Sequence, residues 1–371
     1  MVECSAPCET HRSGPDDDAV LGRAVERGFG PVFTAFGHWC AAEVRRLPGH
    51  PQVFGVEREG RHLTRMAEPF GLRSRSLHLS RRTGLLAALG DVDGEGLANL
   101  LVRARAQPAT NGEACDLLGI DGWPPGGADA PVDIAALLGH LWSTGGIMQV
   151  RERSRRVRAA LLDYLSGMGI RWDDDRPLVL VDLGYAGNIQ RTLQQCLRLE
   201  GLCKPVVGLY LVTSAGIVWA RRNGGRASGF LADTGQPQAF LRRFLAAREV
   251  WELASGSPCG TTLDYGQGGP DLAACPYGPT QVAAMERLQA ACRAFARRAA
   301  EGGEGPASRD RCRRLALDLV ETPSRAEAEV IGRWHYDGDA GYASRRLADA
   351  GGPLADGRPA YWQAAATVVH G

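Results

Sequence analysis

The chain has 371 residues, 44% hydrophobic and 23% charged, with a net charge of +1, the profile of an ordinary globular protein of one large or two average domains. Its balanced charge gives no field to recruit nucleic acid or an anionic membrane. No apolar run approaches the ~20 residues of a membrane helix, and the polar first residues hold no signal-peptide core, so a cytoplasmic protein without membrane or nucleic-acid partners is expected. Ten cysteines are scattered without a C-x-x-C pair, which argues for buried reduced thiols. Eight histidines show neither H-x-x-x-H nor H-E-x-x-H spacing, which argues against a protein-ligated zinc.

In chain order, residues 1–18 read as a flexible leader, and a helix follows over 19–47, bent near Gly28, Gly30 and Pro31. Its stripe of Phe33, Phe36, Gly37 and Cys40 is suited to pack on a sheet, and the Pro48-Gly-His-Pro51 run stops it. Val53 to Val56 form a short buried strand whose exit turn is Glu57, Arg58, Glu59 and Gly60. A helix over 62–70 leads to a second short strand at 77–79, ending in Ser80, Arg81 and Arg82. Each strand thus delivers charged groups at its carboxyl end, where a doubly wound sheet places its site. Solvent exposure is the ordinary fate of any single arginine, but three at matching strand ends suggest an anion.

Residues 84–176 read as a helical insertion over the site, strongest at 146–167, where Arg151, Arg153, Arg155, Arg156 and Arg158 form a row that is either a solvated face or an anion contact. The pivotal stretch is 178–190. Four apolar residues, Leu178 to Val181, suit a strand buried on both faces; Asp182 stands at its end, Gly184 and Gly187 permit a tight turn, and a helix opens near Asn188. Strand, carboxylate, glycine turn and helix amino terminus together make an anion cradle, unless the aspartate merely caps an ordinary βα turn. Strands follow at 205–212 and 229–231, then a helix over 238–254 carrying Arg248, Glu249 and Glu252, a glycine-rich turn or hairpin at 256–265, and helices at 280–300, 309–321 and 323–334, with a tail pinned by Tyr361 and Trp362. The fold expected is α/β, a doubly wound and mostly parallel sheet, with core halves at 19–83 and 177–270, the insertion at 84–176 and a helical C-terminal region at 271–371.

The three strand ends occur in the order found in type I phosphoribosyltransferases, and the chain resembles that family. Asp182 matches the family's second acidic position, Ala186 its small residue and Gly187 its helix-opening glycine, while Val181 and Ile189 stand where the family has another acid and a hydroxyl. Phe54 to Gly60, Leu79 to Arg82 and Val181 to Gln190 are similar to a branch found in bacterial polysaccharide clusters beside haloacid-dehalogenase-type phosphatases. The resemblance implies transfer of a 5-phosphoribosyl group from phosphoribosyl pyrophosphate (PRPP) to the hydroxyl of a small sugar-like or natural-product acceptor, with a separate phosphatase acting afterwards. The implied catalytic residues are Asp182, Glu57, Glu59 and Arg58. Donor contacts would come from Gly60, Ser80, Arg81, Arg82, Gly184, Tyr185, Ala186, Gly187, Asn188 and Ile189, and the acceptor side from Arg248, Glu249 and Glu252. Magnesium would come with the pyrophosphate. The chemistry suits these residue types: amides and a helix dipole for the 5-phosphate, a carboxylate for ribose hydroxyls, and guanidinium groups for the leaving pyrophosphate. Two alternatives stand beside this one. One is a non-catalytic module that binds a phosphosugar or a partner. The other is a phosphatase using Asp91 and Asp93 of an Asp-Val-Asp-Gly run, which lacks the apolar strand such a motif requires.

Overall fold

Short runs rich in apolar residues, suited to burial on both faces, become strands of one sheet. A computed structural model describes residues 15–90, 97, 110–266, 268–303, 305–337, 345–349, 354 and 357–371. Its strands β1 (Gln52–Val56), β2 (Arg75–Leu77), β3 (Leu178–Asp182), β4 (Val206–Val212) and β5 (Arg226–Ala232) lie in the order β2-β1-β3-β4-β5, all parallel. Side chains alternate between two cores. Val53, Val179, Val181, Val207, Leu209 and Leu211 face one core, and Phe54, Val56, Leu77, Leu178, Leu180 and Val206 face the other.

Helices cover both faces. The first core is closed by the N-terminal helices Pro15–Ala24 and Gly30–Arg45, joined by a π-helical segment Val25–Phe29, and by C-terminal helices that include Arg248–Ser255, Pro279–Glu301 and Arg309–Glu321. The second core is closed by Arg81–Ala87, Asn111–Leu118, Ile134–Thr144, Gly146–Gly167 and Asn188–Leu199. The helices of the expected insertion thus share one layer of the sandwich with Arg81–Ala87 and Asn188–Leu199. Because β1 runs beside β2 on one side and β3 on the other, the strand order reverses between β1 and β3. That switch point leaves a crevice at their carboxyl ends, where open α/β sheets bind ligands.

Several expectations are adjusted. Residues 15–18, inside the expected leader, are already helical in Pro15–Ala24; Asp16, Asp17 and Asp18 favour the first turn through the helix dipole, and Asp18 pairs with Arg287 at 2.6 Å. The second strand ends at Leu77, since Ser80 is needed as the cap of Arg81–Ala87, accepting from the Thr83 amide at 3.1 Å. The helix expected over 238–254 is two helices, Gln238–Leu245 and Arg248–Ser255. In the arginine row, Arg158 is buried and donates to the carbonyls of Ala87 and Leu89 and to Glu200, so it ties helices together. Arg153 pairs with Asp264 of a hairpin formed by β6 (Thr262–Gly266) and β7 (Gly269–Leu272). Asp91 and Asp93 lie outside the described residues. All eight cysteines among the described residues are free, and no described helix is long and apolar enough to cross a membrane.

Candidate functional site

Register sets the site's centre. Gly55 pairs with Val181 across β1 and β3, so Glu57 and Asp182 leave neighbouring strand ends whose backbones run about 4.8 Å apart. The turn after β1 folds tightly beneath β3. A Cβ on Gly60 would meet the Val181 carbonyl at 2.2 Å, and one on Gly55 would meet the Gly60 carbonyl at 2.4 Å. Both positions therefore require glycine, and Gly60 works by close packing. Arg58 sits at φ +86°, a left-handed conformation that costs a residue with a side chain about 1–2 kcal/mol. Its guanidinium lies 3.9 Å from Glu59.

The turn after β3 is fixed to the end of β4. The amides of Val212 and Ser214 donate to the carbonyls of Leu183 and Tyr185 at 3.1 and 2.9 Å, and Gly184 lies so close to the Val212 carbonyl that a Cβ would come within 2.0 Å. Gly187, at φ +67°, opens the helix Asn188–Leu199 without a side-chain cap, leaving its leading amides without intrahelical acceptors. From the β2 side come Ser80, Arg81 and Arg82, and Ser80 Oγ also donates to the Thr262 carbonyl at 2.8 Å. Burial, and then the nearby Arg153, lower the proton affinity of Arg82, with Asp264 and Asp116 opposing.

These elements enclose a cavity of about 180 Å³. Of the residues singled out from sequence, Glu57, Arg58, Glu59, Ser80, Arg81, Arg82, Asp182, Gly184, Tyr185, Ala186, Gly187, Asn188, Ile189 and Glu252 line it, whereas Gly60, Arg248 and Glu249 do not. Glu249 is wholly buried and ion-paired, 3.0 Å from Arg358 and 3.1 Å from Arg248. It anchors its helix, because a buried charge demands a partner. Glu252 does reach the cavity, and its two oxygens accept the hydroxyls of Tyr185, at 3.1 Å, and Tyr336. Sequence reading missed His78, Tyr210, Gly260, Thr261 and Thr262 in the lining. For the last three, the run of small and hydroxyl residues at 256–262 was the available clue.

The carboxylates differ in their surroundings. Burial, and then the Glu59 carboxylate, push the Asp182 carboxyl well above the usual range; Glu252 adds to this, against the Leu183 amide at 2.8 Å and Arg81. Glu57 is 6% exposed, and its Oε1 accepts from Arg61 at 3.3 Å and Ser257 at 3.2 Å. Its Oε2 has no hydrogen-bond partner among the described residues. The cavity thus combines guanidinium groups, helix-opening amides and acidic groups in unlike surroundings, a set suited to a ligand with anionic ends and hydroxyls between them. Neither a protein-family model nor a curated protein matches the sequence, so this geometry, set beside the motif resemblance, is the ground for a functional reading.

Proposed function

We propose that the protein is a PRPP-dependent phosphoribosyltransferase, with the doubly wound core characteristic of that class, which moves a 5-phosphoribosyl group to a hydroxyl of a small sugar-like or natural-product acceptor and releases pyrophosphate. The observation that carries the reading is the meeting, at one switch point, of guanidinium groups from the β1 and β2 ends with the amides that open the helix after β3. In this reading the 5-phosphate sits on the turn from Gly184 to Ile189, where the helix dipole favours an anion. Asp182 faces the ribose hydroxyls. Arg58, Arg81 and Arg82 face the pyrophosphate, whose charge grows as it leaves, so their contacts strengthen in the transition state.

Among the described residues, no group of three or more His, Cys, Asp or Glu side chains could hold a metal ion. Magnesium in this reading travels with the pyrophosphate it neutralises. A separate phosphatase would then remove the product's 5-phosphate.

Calorimetry with PRPP and magnesium tests the reading: saturable binding is expected, lost or weakened at least tenfold in Arg81→Ala. Pyrophosphate release from the bound donor then distinguishes an enzyme from a phosphosugar-binding module. That second reading is favoured by Val181 and Ile189, which stand where the resembled family has an acid and a hydroxyl.

A further inference from the structure

Three carboxylates at the strand ends are candidates to accept the proton of an attacking hydroxyl, and their surroundings sort them. Asp182 is buried beside Glu59 and Glu252, an environment that favours its neutral form. One of its oxygens, Oδ1, already accepts the Leu183 amide at 2.8 Å. Glu59 is turned toward Arg58. Glu57 differs from both: Arg61 and Ser257 approach the same oxygen, Oε1, and hold the carboxylate in place, while Oε2 is buried without a partner. Leaving a buried carboxylate oxygen unpaired is costly, and Glu57 borders the cavity from which a donor can come.

We infer that Glu57, seated by Ser257, is the general base of the reaction, accepting on Oε2 the proton of the acceptor hydroxyl. The inference rests on the phosphoribosyltransferase reading and deepens it. The acceptor oxygen forms a bond to the anomeric carbon as the bond from that carbon to pyrophosphate breaks. Pyrophosphate leaves with the electron pair, and the hydroxyl proton passes to Glu57, so the acceptor oxygen ends as the glycosidic oxygen of a 5-phosphoribosyl product. Ser257 touches no reacting atom; it is a positioning residue, two hundred positions away in sequence from the group it holds.

The test compares full-length wild type, Glu57→Gln, Asp182→Asn and Ser257→Ala. Calorimetry measures Mg·PRPP affinity, and a coupled assay measures pyrophosphate release with water and with sorbitol as acceptor hydroxyls. Glu57→Gln is expected to lower release at least thirtyfold while Mg·PRPP affinity stays within threefold. Asp182→Asn, which keeps a neutral hydrogen-bonding group, should lower release less than Glu57→Gln. Ser257→Ala should lower kcat about fivefold at unchanged KM for Mg·PRPP, and it carries the same test should Glu57→Gln fail to fold. Release by Glu57→Gln within threefold of wild type overturns the assignment. So does an unchanged kcat in Ser257→Ala, or a wild type that binds Mg·PRPP and releases no pyrophosphate. A wild type that does not bind Mg·PRPP overturns the transferase reading as well, which separates the two failures.

Discussion

The helix Arg248–Ser255 and the turn after β1 both bring buried carboxylates to the same neighbourhood, yet they treat them in opposite ways. On the helix, Glu249 meets Arg358 and Arg248, and Glu252 gives each of its oxygens to a tyrosine hydroxyl. In the turn, Glu57 directs both of its donors to one oxygen and leaves the other unpaired. Depth of burial therefore does not separate these acids; pairing does. A fully paired carboxylate secures the packing around it, whereas a half-paired one leaves part of its hydrogen-bonding capacity unused.

Four measurements would break or sharpen that contrast. The largest effect is expected from Arg358→Ala, which strands Glu249 without its bidentate partner. Breaking a buried pair from one side costs about 3–5 kcal/mol, read as a lower urea midpoint at an unchanged slope. Tyr336→Phe removes one donor from Glu252 while Tyr185 stays in place. A loss of about 1.5–3 kcal/mol is expected for a hydrogen bond to a charged group, with Mg·PRPP affinity within threefold.

His62 supplies a third case, because both of its ring nitrogens are buried without partners among the described residues, yet it does not line the cavity. Burial, with Arg293 and Arg65 nearby, lowers its pKa to about 3 from an ordinary 6.5. Between those values the unfolded chain binds the proton that the folded one refuses. Stability is therefore full above pH 6.5 and falls as pH drops toward 3, by up to about 1.4 kcal/mol per pH unit. Unfolding midpoints from pH 7 to pH 4 should show that slope, and His62→Leu should flatten it. The smallest effect is expected from Glu57→Gln, within about 1 kcal/mol of wild type in the same unfolding assay, because the carboxylate it replaces is only half paired. A loss as large as that of Arg358→Ala would show that Glu57 belongs with Glu249, and the contrast would fail.

How much of this was legible in the sequence follows from how local each cause is. The run Leu178 to Val181 and the stripe that follows it gave β3 and the helix Asn188–Leu199 almost to the residue, because strand hydrophobicity and helical spacing are written in neighbouring positions. The β1 turn and the arginines after β2 were equally plain, and they do converge on one cavity. The separate roles of Arg248, Glu249 and Glu252 were not legible. Their spacing puts them on one helix, but the partners that divide them, Arg358 and Tyr336, come from the C-terminal region. Ser257 and Thr262 were hidden for the same reason. A glycine-rich turn announces itself, but nothing in its residues tells which strand end it will meet. The placement of residues 111–167 was half legible: the apolar stripe called for a partner without naming which face of the sheet would take it.

The far wall of the cavity has a consequence for how the molecule comes into being. Ser257 reaches Glu57 across 200 residues, and Ser80 reaches the Thr262 carbonyl across 182. Closing loops of that length costs conformational entropy that only later contacts recover. During synthesis, β1 and β3 can find each other while the segment that completes their crevice is still on the ribosome. The enclosure around the strand ends thus cannot close until residues 257–262 have been made, although the charged residues of the three strand-end turns are by then already in place along the chain.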